Sequence, residues 1–169
     1  MDDRSMVAWQ LGRAPRAFRR VVVRCPFGLP AVTEQEPYDP QGEPFPTTYY
    51  LTCRHLVALV SRLEATGGVE RWSEAAASDR ELAESLRRAT DEQRSLRAAL
   101  AAGRRGSDDG ASLGLGIGGA ARPERLKCLH AHAAYALARP GYLLGERILG
   151  ELGDLWPERC CSLPAEEGG

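Results

Sequence analysis

The sequence predicts an α+β fold: a short N-terminal antiparallel β-meander packed against about four α-helices. Three observations carry this. The first third is rich in β-branched residues and turn formers, and the segments after Thr52 on either side of a Gly-rich loop show helical apolar spacing. The connections between the candidate strands are also too short to house parallel crossovers, which leaves a meander. A length of 169 residues fits one domain with loose ends. The expected layout is a disordered start over 1–6, a β-rich part over 17–53 and helices over 54–102. A flexible Gly-rich loop over 103–121, C-terminal helices over 122–156 and a tail over 157–169 complete it.

The strands come first. Phe18 to Cys25 contains Val21-Val22-Val23 and is ended by Pro26 and Gly28. Ala31 to Gln35 reads as a second strand and Thr47 to Leu51 as a third. The prolines between Pro37 and Pro46 mark a loop. Thr52 is a credible N-cap for a helix whose Leu56, Leu59, Val60 and Leu63 make one apolar stripe, stopped by Gly67-Gly68. Ser78 or Asp79 caps a longer helix to about Ala102, with Leu82, Leu86, Ala89, Gln93, Leu96 and Leu100 on one face. Pro123 opens a third helix to about Ala138, and a fourth runs from Leu143 to about Leu152.

Composition excludes several classes. A net charge of -1 gives no global attraction to nucleic acid or membrane surfaces. Arg4, Arg13, Arg16, Arg19, Arg20 and Arg24 crowd the start. Only Trp9 and Phe18 are interleaved with them, which argues against a nucleic-acid interface. No apolar run has the length of a membrane span and no export signal is visible, so a cytoplasmic location is expected. In that reducing setting the five cysteines (Cys25, Cys53, Cys128, Cys160 and Cys161) read as core filler, metal ligands or reactive thiols before disulfides. All basic residues but Lys127 are arginines, and Lys127 stands beside Cys128.

Three motifs can carry chemistry. Gly114, Gly116 and Gly119 spell GxGxxG ahead of a helix, yet no strand precedes them as a dinucleotide fingerprint requires. A loop ordering over a site is the better reading. Gly118 and Gly119 with Lys127, and Arg13 and Arg24 at the other end, are the candidates for a phosphate or cofactor contact. Cys53, at the first position of a helix capped by Thr52, sits where the helix dipole favours a thiolate. In Lys127-Cys128-Leu129-His130-Ala131-His132, helical spacing puts Cys128 and His132 on one face and His130 opposite. A metal would need further ligands, for which Cys25 and Cys53 are the natural candidates and Cys160 or Cys161 the substitutes.

At these residues a resemblance enters. Gln10-Leu11-Gly12-Arg13, Arg24-Cys25-Pro26-Phe27-Gly28-Leu29-Pro30, Pro44 to Cys53 and Lys127-Cys128-Leu129-His130 resemble, in order, the bacterial domain-of-unknown-function family 501. With Leu63-Glu64 and the helices between, the likeness spans roughly 7 to 152, and the single family domain is expected over 7–156. Arg54 departs from it, standing where the family usually has proline. The resemblance implies an actinobacterial type of member and matches the family's motif cysteines to Cys25, Cys53 and Cys128 and its motif histidine to His130. It also implies cell-division or polyphosphate-related partners, through a septum-formation initiator and an exopolyphosphatase encoded nearby.

Three functions follow as expectations. The first is a Cys/His site that binds zinc or an iron–sulfur cluster with a structural or redox role, held by Cys25, Cys53, Cys128 and His130, with His132 and Cys160 as alternates. The second is a thiol-dependent enzyme with Cys53 or Cys128 as nucleophile and His130 as base. The third is a non-catalytic adaptor linked to cell division, presenting Phe45, Tyr49 and Tyr50.

Overall fold

The computed structural model describes residues 1–160. Six helices and three strands are seen among them, so the α+β class and the meander hold while the helix number rises from about four to six. The strands β1 (Phe18–Arg24), β2 (Pro30–Gln35) and β3 (Tyr49–Leu51) pair antiparallel in the order β1-β2-β3. Pairings such as Val21 with Thr33 and Val32 with Leu51 set the register. The middle strand is buried along its whole length, while β1 is only partly covered. That contrast places the arginines: Arg20 reaches Glu34 at 3.0 Å and Arg16 reaches Asp39 at 3.3 Å. Charges along an exposed edge also discourage pairing with another chain.

The start of the chain is a helix rather than disordered. In α1 (Asp3–Leu11) the Asp2 carboxylate accepts the Ser5 N–H at 2.8 Å, an N-cap that the short polar start supplies by itself. Val7 is buried and the Gln10 amide donates to the Pro30 carbonyl at 2.8 Å, which docks α1 on the sheet.

Helix α2 (Arg54–Ala65) begins one residue later than a Thr52 cap would require, with Cys53 at the extended cap position. Helix α3 (Gly68–Ser78) follows directly on Gly67-Gly68, which by sequence signals only the end of the preceding helix. Gly68 is there for close packing instead: a Cβ would lie 2.6 Å from the Leu63 carbonyl oxygen and 3.0 Å from Leu129. Helix α4 (Arg80–Ala101) matches its expected span, and Asp79 caps it by accepting the Glu81 and Leu82 N–H groups.

The Gly-rich stretch is more ordered than its composition predicts. It holds two short 3₁₀ turns, Ala111–Gly114 and Ile117–Gly119, and Ile117 to Ala120 are buried. Asp108 anchors it, accepting hydrogen bonds from the Tyr38 hydroxyl (2.8 Å) and the Ser112 N–H (2.7 Å). Burial pushes the Asp108 carboxyl up, but donors from Ser112, Tyr38 and Gly110 outweigh it and hold it at about 2.

The third expected helix starts six residues late. Pro123 lies in an irregular segment tied to α3 by the Leu126 N–H on Ser73 Oγ, and Cys128 is fully extended, so α5 runs from Leu129 to Ala138. Seven of its ten residues are buried, as befits a helix apolar on every side at the centre of a domain. Tyr135 from α5 meets Tyr49 of β3 and Tyr142 edge to face, at centroid distances of 5.4 and 5.5 Å. Helix α6 (Leu143–Glu151) closes the core. No helix among the described residues is long and apolar enough to cross a membrane. The expected tail lies outside the described residues from 161 onward, Cys161 included.

Candidate functional site

A pocket of about 570 Å³ opens where the C-terminal end of α1, strand β3 and the first turns of α2 and α5 meet. Gln10 and Leu11 come from α1, Tyr49 to Leu51 from β3, and Arg54, Val57 and Ala58 from α2. Thr47, Thr52, Cys128, His130 and Ala131 complete the wall. Its size is that of a small-ligand site. A larger cavity of about 740 Å³ lies between α3, α4 and the 122–125 segment, but none of the candidate site residues lines it.

His130 is the best-oriented titratable group here. Its Nδ1 is 2.6 Å from Glu64 Oε1 and its Nε2 is 3.2 Å from Ser61 Oγ. Both partners stand on α2, three residues apart and so on one face of it. The other Glu64 oxygen accepts the Leu129 N–H at 3.1 Å. One carboxylate thus caps the start of α5, which has no side-chain cap of its own, and orients the histidine. His130 keeps 29% of its side-chain surface exposed.

Cys128 occupies the cap position of α5 and is partly buried. Its thiol is pushed up chiefly by burial. The Ala131 and His130 N–H groups and Lys127 pull it down, and the Glu64 charge adds to the rise. At rest it is therefore a neutral thiol. Glycines let the chain pass close by: Gly118 has φ +70°, and a Cβ there would lie 3.0 Å from Ala131 Cβ and 3.5 Å from Cys128 Sγ. At Gly119 a Cβ would meet Pro46 at 2.7 Å. Both glycines serve close packing beside Cys128 and Lys127.

The other sequence candidates lie elsewhere. His132 is 1% exposed, with Nδ1 2.7 Å from the Tyr142 hydroxyl, and burial drives it down to about 3. The expected shared face of Cys128 and His132 fails because Cys128 precedes the helix. Cys53 is 3% exposed and does not line the pocket. Cys25 sits in the turn after β1, where its N–H donates to the Leu29 carbonyl. Cys160 is near the end of the described chain, partly exposed. Among the described residues no group of three or more His, Cys, Asp or Glu side chains is placed to hold a metal ion, so Cys25, Cys53, Cys128 and His130 are not gathered into one such centre. Arg24 is bound to Asp3 at 2.7 Å and to the Gly28 carbonyl, and Arg13 approaches the Tyr50 hydroxyl at 3.5 Å. No cavity described here collects these arginines with the glycine loop.

Several site residues escaped the sequence reading. Ser61 carries no local signal. Glu64 belongs to a quoted motif pair, Leu63-Glu64, but its partner is 66 residues away. Arg54 stacks over Trp9, 4.2 Å from the ring centroid, and donates to the Trp9 and Gln10 carbonyls at 2.7 and 3.1 Å. A cation on the last carbonyls of α1 favours that helix end.

No curated protein and no solved structure matches the chain. A family model described as "Protein of unknown function (DUF501)" matches residues 21–150, more than half of the chain. The chain belongs to this family.

Proposed function

We propose that the protein is a thiol-dependent enzyme that acts on a small electrophilic substrate held in this pocket, with Cys128 as nucleophile and His130 as proton acceptor. One observation carries the reading: residues from three separated segments converge on a single pocket, and they bring to it a thiol and a carboxylate-oriented histidine. Cys53 is a poor nucleophile in comparison, since it is out of reach of solvent.

Burial keeps the Cys128 thiol protonated, so the proton must leave as the new bond forms. Sγ bonds to the electrophilic carbon and the bonding pair of the leaving group departs with that group. The thiol proton passes through one intervening hydroxyl or water to His130 Nε2, which Ser61 Oγ contacts at 3.2 Å. Glu64 on Nδ1 stabilises the resulting imidazolium.

Alkylation by iodoacetamide between pH 6 and 9, followed at each cysteine by peptide mass spectrometry, tests this. His130→Gln should slow modification of Cys128 by about tenfold near neutral pH while Cys160 keeps its rate. An unchanged Cys128 rate in that variant overturns the proposal.

A further inference from the structure

We infer that the ligand of this pocket carries an anionic head, a carboxylate or a phosphate, seated at Thr52 and Arg54 against the first turn of α2. The inference rests on the reading of the pocket as a substrate site and deepens it by naming the substrate's charge.

Four features converge. Thr52 lines the pocket at 1% exposure, and its Oγ1 has no hydrogen-bond partner, so a buried hydroxyl is left without the donor or acceptor such groups require. Helix α2, 12 residues long, begins at the pocket and has no side-chain cap bond, whereas the start of α5 is already capped by Glu64. The N-terminal N–H groups and dipole of α2 therefore favour negative charge there. The Arg54 guanidinium is fixed at the rim by Trp9 and two carbonyls, so ordering it for a ligand costs little. No aspartate or glutamate is among the lining residues, which leaves Arg54 without a competing carboxylate on the wall. Leu11, Leu51, Val57, Ala58 and the two tyrosines supply an apolar wall, so the body behind the head is apolar.

Cys128 lies on the same wall and reports on the head group. Iodoacetate and iodoacetamide both form an Sγ–C bond and release iodide, and they differ in carrying or lacking a carboxylate. The rate ratio of iodoacetate to iodoacetamide at Cys128 should exceed the ratio at Cys160 by about fivefold or more, and Thr52→Val and Arg54→Gln should each bring it down. Equal ratios at the two cysteines, with His130→Gln still slowing Cys128, sink the anionic head and leave the thiol reading standing.

A second measurement needs no thiol chemistry. Benzoate and phenyl phosphate, titrated into ¹⁵N-labelled protein, should shift the amide signals of Thr52, Arg54 and His55, and the tighter of the two identifies the head as carboxylate or phosphate. Absence of shifts with both at millimolar concentration overturns the inference. Shifts in the wild type that persist unchanged in Thr52→Val and Arg54→Gln overturn it as well.

Discussion

His130 and His132 stand two residues apart at the start of α5, and the structure gives them opposite surroundings. His130 faces α2, is held by Glu64 and Ser61, and lines the pocket. His132 faces Tyr142 inside the core and is excluded from water. An offset of two residues turns a side chain by about 200° around a helix, so the pair is bound to diverge. Which of the two meets the pocket depends on what packs against α5. The lesson extends to the cysteines: Cys53 and Cys128 both hold helix cap positions, yet only Cys128 reaches the pocket.

The comparison breaks most visibly in acid. His132 has its ordinary value of 6.5 when unfolded and about 3 when folded, so the unfolded chain binds the extra proton below pH 6.5. Its contribution to stability is full above that pH and is lost as pH falls towards 3, with a slope near about 1.4 kcal/mol per pH unit between those limits. Urea denaturation of the wild type and His132→Gln at several pH values should show this slope only in the wild type. An identical acid slope in the two proteins would remove the buried-neutral description of His132.

His132→Ala at neutral pH comes next. It deletes a fully buried ring and strands the Tyr142 hydroxyl, at a cost of about 2–4 kcal/mol measured by chemical denaturation. A loss below about 1 kcal/mol would mean the ring is not packed as described.

Glu64→Ala has a smaller expected effect, about 1–2 kcal/mol, because it removes the acceptor of the Leu129 N–H as well as the partner of His130. Hydrogen exchange at Leu129 should rise in this variant, and unchanged protection there would contradict the cap. His130→Gln sits at the low end, within about 1 kcal/mol of wild-type stability, since the ring is partly exposed and its ion pair is near the surface. Its effect belongs in the reactivity of Cys128. A variant that loses several kcal/mol instead would make His130 a structural residue like its neighbour.

Much of the scaffold is legible from local chemistry. The strand over Phe18–Arg24 follows from its β-branched run and the turn that ends it, and α4 follows from its stripe and the Asp79 cap. Helix α3 escaped because Gly67-Gly68 is a stop signal locally, whereas the tight approach to Leu63 and Leu129 that demands Gly68 is tertiary. The start of α5 was misplaced for a related reason. Pro123 is a valid helix opener, but contacts of Leu126 with Ser73 and the extended Cys128 delay the helix. At the site, Cys128 and His130 stood out by residue type and motif, while Ser61, Thr52 as a pocket hydroxyl, and the Trp9–Arg54 stack did not.

The sequence by itself determined the class of fold, the order of its strands and the short list of groups able to do chemistry. Periodicity, turn residues and residue identity act over a few positions, and a single chain records them directly. Only the packed chain shows which face of α5 points into the pocket, that Glu64 contacts His130, and that Cys53 is closed off while Cys128 is reached. Those outcomes depend on side chains dozens of residues apart sharing one volume. Helix α5 is apolar on nearly every side, so its pattern holds no mark of which neighbour each residue will meet.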